Sequence, residues 1–180
     1  MHTSEREDVM IILGDAGLNF YLNKTDHRRK AEVSQIPITL FMIHGNHEER
    51  PFNVPGYEER GWNGGVVYIH PEFPDQIFAK DGEIYNLNGK KTIVIGGAYS
   101  VDKEYRLMRH IPWFESEQPT EEIKKYVEKQ LDGAGWAVDV VLSHTAPFQY
   151  EPRHLFLPFI VQSRVDKSTE RWLQTIETRL

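Results

Sequence analysis

Three short apolar runs in this chain end alike, and that recurrence limits what it can fold into. Val9 to Leu13 runs into Gly14-Asp15, Ile38 to Ile43 into His44-Gly45-Asn46-His47, and Val138 to Leu142 into Ser143-His144. Short apolar runs closed by glycine or polar residues read as buried strands. In sheets that mix strands and helices, sites gather beyond the carboxyl ends of strands, where short loops hold side chains rigidly. Asp15, the Asn46-His47 pair and His144 all occupy such positions.

The rest of the chain supplies the partners those strands need. Residues from about Lys24 to Gln35 have weak helical character and stop before Pro37. Glu49 to Gly65, with two prolines and four glycines, reads as loop, and Val66 to Ile69 as a third strand. Glu83 to Leu87 and Lys91 to Ile95 flank Asn88-Gly89, a pair suited to a tight hairpin turn, and Gly96-Gly97 ends the second of these strands. Thr120 caps a helix with Glu121 and Glu122 in its first turn and Ile123, Val127 and Leu131 along one face. Asp166 opens a last helix with Trp172, Leu173, Ile176 and Leu180 on one face. The expected class is α/β (α+β), in one domain over residues 1–180.

Composition narrows the chemistry. The chain has no cysteine, so disulfides and thiolate metal sites are excluded, while eight histidines and many carboxylates leave nitrogen and oxygen metal chemistry open. A formal charge of −6 argues against a general nucleic-acid binder. It does not exclude a phosphate substrate, because bound cations reverse the local field. No apolar run is long enough to span a bilayer, and the polar, acidic start is no secretory signal. A cytoplasmic location and no membrane partner are the expectation.

Gly45-Asn46-His47-Glu48 is the strongest single signal. Glycine lets the backbone turn sharply before two polar side chains, of which Asn offers a carbonyl oxygen and His an imidazole nitrogen. Taken alone, it also reads as an Asx-type turn at a strand end. Asp15 between glycines could bridge two cations, or cap a turn. A lone strand-end His such as His144 is more often a hydrogen-bonded core residue than a ligand. Arg50 could bind a phosphate oxygen, and Tyr99, Ser100, Asp102 and Arg106 could line a cleft. His44 reads as packing behind the site. His27 to Lys30 reads as an exposed helix face, and Trp62, Trp113 and Trp136 as packing anchors.

In their order along the chain, strand-Gly14-Asp15, strand-Gly45-Asn46-His47-Glu48 and strand-Ser143-His144 resemble the calcineurin-like metallophosphoesterase superfamily. Leu13 to Asn19, Ile43 to Pro51, Gly96 to Lys103 and Val140 to Pro147 look like its bacterial and phage members. The resemblance implies two facing β-sheets with helices outside. It implies that Asp15 bridges two metals, that Asn46 and His144 bind the second, and that His47 is the catalytic group at the phosphate or leaving group. It implies hydrolysis of a phosphate ester by a metal-bridging hydroxide, with two divalent ions drawn from Mn, Fe, Zn or Ni. Arg50 is the candidate substrate-binding residue.

Two of the family's motifs have no counterpart here. Nothing before Gly14 matches the Asp-x-His of the first strand, and nothing after His144 matches Gly-His-x-His; His2 and His154 do not fit. The expectation is a domain truncated at both ends, with this chain its central portion, Asp15, Asn46 and His144 left for one metal, and the apolar strand at Val9 to Leu13 exposed as an edge open to dimerisation. A non-catalytic or single-metal relative acting as a binding or regulatory domain is the alternative. A nuclease-type phosphodiesterase, with nucleic acid only as substrate, is the second.

Overall fold

The computed structural model describes residue 5 and residues 7–156 and 158–180. Its eight strands form two sheets. The first sheet has the order β1-β2-β5-β4-β3, from β1 (Val9–Ile12), β2 (Thr39–Met42), β3 (Glu58–Trp62), β4 (Gly65–Ile69) and β5 (Gln76–Ala79). The second has the order β6-β7-β8, from β6 (Ile84–Leu87), β7 (Lys90–Ile95) and β8 (Val140–Ser143). The helices are α1 (Lys24–Val33), α2 (Lys103–Arg109), α3 (Glu121–Gly133) and α4 (Ser168–Arg179). None of the described helices is long and apolar enough to cross a membrane.

Strand β2 shows why the layers form. Successive side chains on a strand point to opposite faces. Phe41 and Ile43 face the second sheet and pack with Val67, Tyr85 and Val94, while Leu40 and Met42 face outward and pack with Leu18 and Val33. On the far side of the second sheet, Ile93 and Ile95 meet Val127 and Leu131 of α3 and Leu173 and Ile176 of α4. The result is a two-sheet sandwich flanked by helices, as the resemblance implied.

Strands β1 and β2 run parallel, as do β7 and β8. Main-chain bonds carry the pairing past the strand ends: Ile43 N donates to Ile12 O at 2.9 Å, Gly97 N to His44 O at 2.8 Å and His144 N to Ile95 O at 3.3 Å. The carboxyl ends of all four strands therefore open onto one edge of the sandwich.

Several elements depart from the sequence expectation. Strand β1 forms where expected but is no buried strand: it lies at the sheet edge, with Val9 44%, Met10 53% and Ile11 41% exposed. The segment Glu49 to Gly65 is not all loop, because β3 pairs with β4 across Asn63-Gly64, both with positive φ. Its Glu58-Glu59-Arg60 face is exposed, so it carries no apolar pattern. Strand β5 and helix α2 were not anticipated; β5 is four buried residues beginning with a glutamine. Lys30 is buried rather than on an exposed face, its ammonium 4.8 Å from the Tyr57 ring centre. His2 lies outside the described residues.

Tyr85 ties the two sheets together. Its ring is fully buried against Phe41, and its hydroxyl donates to Val66 O at 2.6 Å while accepting from Lys80 N at 2.9 Å. Tyr85→Phe leaves two buried backbone groups without that partner, at a cost of about 1–3 kcal/mol. Urea unfolding of the two proteins measures it; an unchanged midpoint would show that the hydroxyl does not bind the sheets.

Candidate active site

Two glycines decide which side chains can meet at the strand ends. A Cβ on Gly14 would stand 2.0 Å from His144 Nδ1, and one on Gly45 would stand 2.1 Å from both Asp15 N and Asp15 Oδ1. Each glycine thus vacates the space another candidate ligand occupies. Gly14 (φ 103°) and Asp15 (φ 53°) both take left-handed backbone, which turns the chain abruptly after β1. Aspartate is one of the few residues besides glycine that enter this region with any frequency.

The side chains converge on a corner. His144 Nδ1 lies 2.7 Å from Leu13 O, a contact that requires a proton on Nδ1 and leaves Nε2 facing the corner. Nε2 lies 2.7 Å from Asn46 Oδ1 and 3.7 Å from Asp15 Oδ1. Asn46 is oriented by its amide nitrogen, which donates to Ser100 Oγ at 2.8 Å. His47 N donates to Asp15 Oδ1 at 2.9 Å.

His47 itself is 38% exposed, with Nδ1 3.9 Å from Asp15 Oδ2 and Nε2 3.6 Å from Asp102 Oδ1. Asp102 is held in turn by Arg106, whose Nε donates to Oδ2 at 2.8 Å and whose Nη1 donates to Pro112 O at 2.9 Å. Ser100 N donates to Glu117 Oε2 at 3.2 Å. Ser100, Asp102 and Arg106 therefore brace the corner, and Tyr99 lines a cavity beside it.

Beneath the corner the motif is anchored by buried charge. Glu48 is fully buried and accepts from Gly45 N at 3.3 Å. Burial pushes its carboxyl up to about 7, the amides of Gly45, Ala16 and Gly17 favouring the charged form and nearby Asp15 opposing it. Arg50 is 3% exposed, with Nη1 on Asp81 Oδ2 and Nε donating to Ser116 O at 2.8 Å. Asp81 Oδ1 accepts from Gly96 N at 2.6 Å. The guanidinium read from sequence as a phosphate ligand is thus held below the surface by the loop after β5 and by Ser116, with Nη2 left without a hydrogen-bond partner among the described residues. His44 is also buried, and burial, then Arg50 and His144, hold its ring well below the ordinary histidine range, against a weaker effect of the Ser116 backbone.

Whether these residues fit a cation follows from the donor set. With Nδ1 donating to Leu13 O, Nε2 is the ring nitrogen that would bind a cation, beside the Asn46 carbonyl oxygen. Two such donors on one cation, each at roughly 2.0–2.3 Å, stand about 3 Å apart at a right angle, close to the observed spacing. Asp15 Oδ1 supplies a third donor. Among the described residues no group of three or more His, Cys, Asp or Glu side chains is arranged to hold a metal. The corner has two of that kind, and its third donor is an amide. The set fits one cation completed by water or phosphate. His154 lies in a separate turn, Arg153–Leu155, and adds nothing to the corner.

What sequence reasoning left without a role is the buried support: Glu48, Asp81 and Glu117. Glu48 stood inside the motif; the other two carried no local signal. Glu48 also gives a pH dependence. Between about pH 4.5 and 7 the folded protein keeps a proton on Glu48 that the unfolded chain has lost, so this group makes stability fall as pH rises. Glu48→Gln removes the titration. Metal-free, the stability of Glu48→Gln relative to the parent should rise by something on the order of 3 kcal/mol from pH 4.5 to 7.5. Parallel stability curves would show that Glu48 does not carry this proton.

A family model for calcineurin-like phosphoesterases matches residues 2–167 of the 180. No curated protein and no solved structure matches the chain. The family in general uses divalent metals to hydrolyse phosphate esters, and the match spans every strand end described above. The chain belongs to the calcineurin-like phosphoesterase family.

Proposed function

We propose that this chain carries out metal-dependent hydrolysis of a phosphate ester at the corner of Asp15, Asn46, His47 and His144. The observation that supports it is the convergence of Asp15 Oδ1, Asn46 Oδ1 and His144 Nε2, with the last two 2.7 Å apart and each side chain oriented by a hydrogen bond from its other polar atom. A divalent cation bound there supplies positive charge against the phosphoryl oxygens and acidifies water. Manganese is our choice among Mn, Fe, Zn and Ni for testing; the donor set suits all four.

The residues divide the remaining work. His47 stands beside the ligands, exposed enough to reach substrate, and is the group that moves a proton to the leaving oxygen. Asp102 faces the His47 ring, its Oδ1 3.6 Å from Nε2, and we assign it to positioning that ring. Arg50 anchors the loop through Asp81. We therefore assign it to positioning the motif, with any contact to substrate secondary.

A second reading, a single-metal binding or regulatory domain, is favoured by the donor count, two acidic or imidazole ligands and one amide. The open apolar edge of β1 supports self-association of copies as a property of either reading.

Manganese content and hydrolysis of p-nitrophenyl phosphate, measured on the same preparation, separate the readings. The enzymatic reading expects one manganese per chain at this corner and metal-dependent turnover. In His47→Gln, turnover falls about 10²–10⁴-fold with manganese content unchanged. Manganese bound without turnover above a chelated control would favour the binding domain, and no manganese bound would sink both.

Gly14→Ala tests the corner from behind. Its methyl displaces the His144 ring and strains a left-handed position. We expect manganese affinity to fall at least about tenfold, in the range seen when groups that orient metal ligands are lost. Unchanged affinity would mean that His144 is no ligand.

A further inference from the structure

Between β8 and α4 the chain folds back through short 3₁₀ turns at Phe148–Tyr150, Arg153–Leu155 and Gln162–Arg164. With the start of α4 these turns line a cavity of about 620 Å³. Phe148, Phe156 and Ile160 give it apolar walls, and Arg153, Lys167 and Arg171 bring three positive charges. One carboxylate lines it, Glu151, and that group is already committed, 2.7 Å from Lys167 Nζ and 3.8 Å from Arg153 Nε. The Arg171 guanidinium lies 4.4 Å from the Phe148 ring centre and forms no ion pair with any described residue. Three cations against one carboxylate make a local excess of positive charge in a chain of formal charge −6.

The wall of the cavity is tied to the strand end that carries His144: Thr145, the next residue, donates its hydroxyl to Glu170 Oε1 at 2.9 Å, and Glu170 precedes Arg171. Ile160 also lines a second space, of about 160 Å³, whose other wall includes Tyr99, Val101 and Glu104. Tyr99 and Val101 flank Ser100, the residue that orients Asn46. Phe148 follows His144 by four positions, which holds their Cα atoms within about 14 Å of each other.

We infer that the cavity is a distal anion subsite. It takes the second acidic group of a phosphate ester whose scissile phosphate sits at the corner, which names the substrate class: organic phosphate esters with an apolar body and a second phosphate or carboxylate at its far end. The inference rests on the functional reading above. Arg171, exposed and unpaired, makes the principal contact, a charge-assisted hydrogen bond, and Lys167 assists while remaining paired with Glu151.

Calorimetric binding to the manganese-loaded chain tests this without relying on turnover. The probes are octyl phosphonate, octane-1,8-bisphosphonate, and an alkyl phosphonate of the same length ending in a carboxylate. The two-headed probes should bind about tenfold tighter than octyl phosphonate, and whichever head gives the larger gain identifies the natural group. Arg171→Gln should remove most of that gain and leave octyl phosphonate affinity unchanged. Equal binding of one-headed and two-headed probes, or a gain that survives in both Arg171→Gln and Lys167→Ala, overturns the subsite. Asp15→Asn provides the separate check: octyl phosphonate binding that persists in it counts against the corner, whereas the subsite is judged by the ratio alone.

Discussion

The site depends on two reciprocal close approaches. Gly14, at the end of β1, leaves room for the His144 ring from the end of β8, and Gly45, after β2, leaves room for Asp15 from the end of β1. Neither approach tolerates a Cβ. Because the four residues come from three strand ends in two sheets, the interlock also fixes how the sheets meet at this edge. The Nδ1 proton of His144 then finds Leu13 O, which sets the tautomer and aims Nε2 at the corner. One steric condition thereby determines a ring orientation, a lone-pair direction and the spacing of three donors.

That arrangement rests on a floor of buried polar groups that are expensive to leave unpaired. Glu48 joins the turn after β1 to the turn after β2 by facing the amides of both. Arg50 and Asp81 join the same motif to the loop after β5 and to Gly96 at the end of β7. A buried pair of this kind contributes little net stability, because desolvation offsets most of the attraction, yet removing one partner strands the other. Its effect is to fix one geometry. The exposed layer above, with His47, Asp102 and Asn46, is therefore mounted on a rigid base and is itself left open to substrate.

Much of this was legible in the sequence wherever the signal was local. Apolar runs closed by Gly-Asp, Gly-Asn-His and Ser-His gave β1, β2 and β8, with Asp15, Asn46-His47 and His144 just beyond their ends. Asn88-Gly89 gave the β6–β7 hairpin, and Thr120 gave the start of α3, where its hydroxyl accepts from Ile123 N. What stayed hidden was non-local. Strand β3 is charged because it is an exposed edge, and β5 is buried on both faces, so neither shows an alternating pattern. Arg50 looked available because it sits in a polar loop, but its partner Asp81 is 31 residues away. The apolar run of β1 suggested burial, which its place at the edge of the sheet removes.

The account turns on His144 Nε2 sharing one cation with Asp15 and Asn46. Pulsed electron paramagnetic resonance of manganese bound to the chain addresses this directly, because a coordinated imidazole leaves nitrogen modulation in the spectrum. The account predicts modulation from one directly bound histidine nitrogen, lost in His144→Ala and retained in His47→Gln. Modulation that persists without His144, or that vanishes with His47 alone, would contradict it.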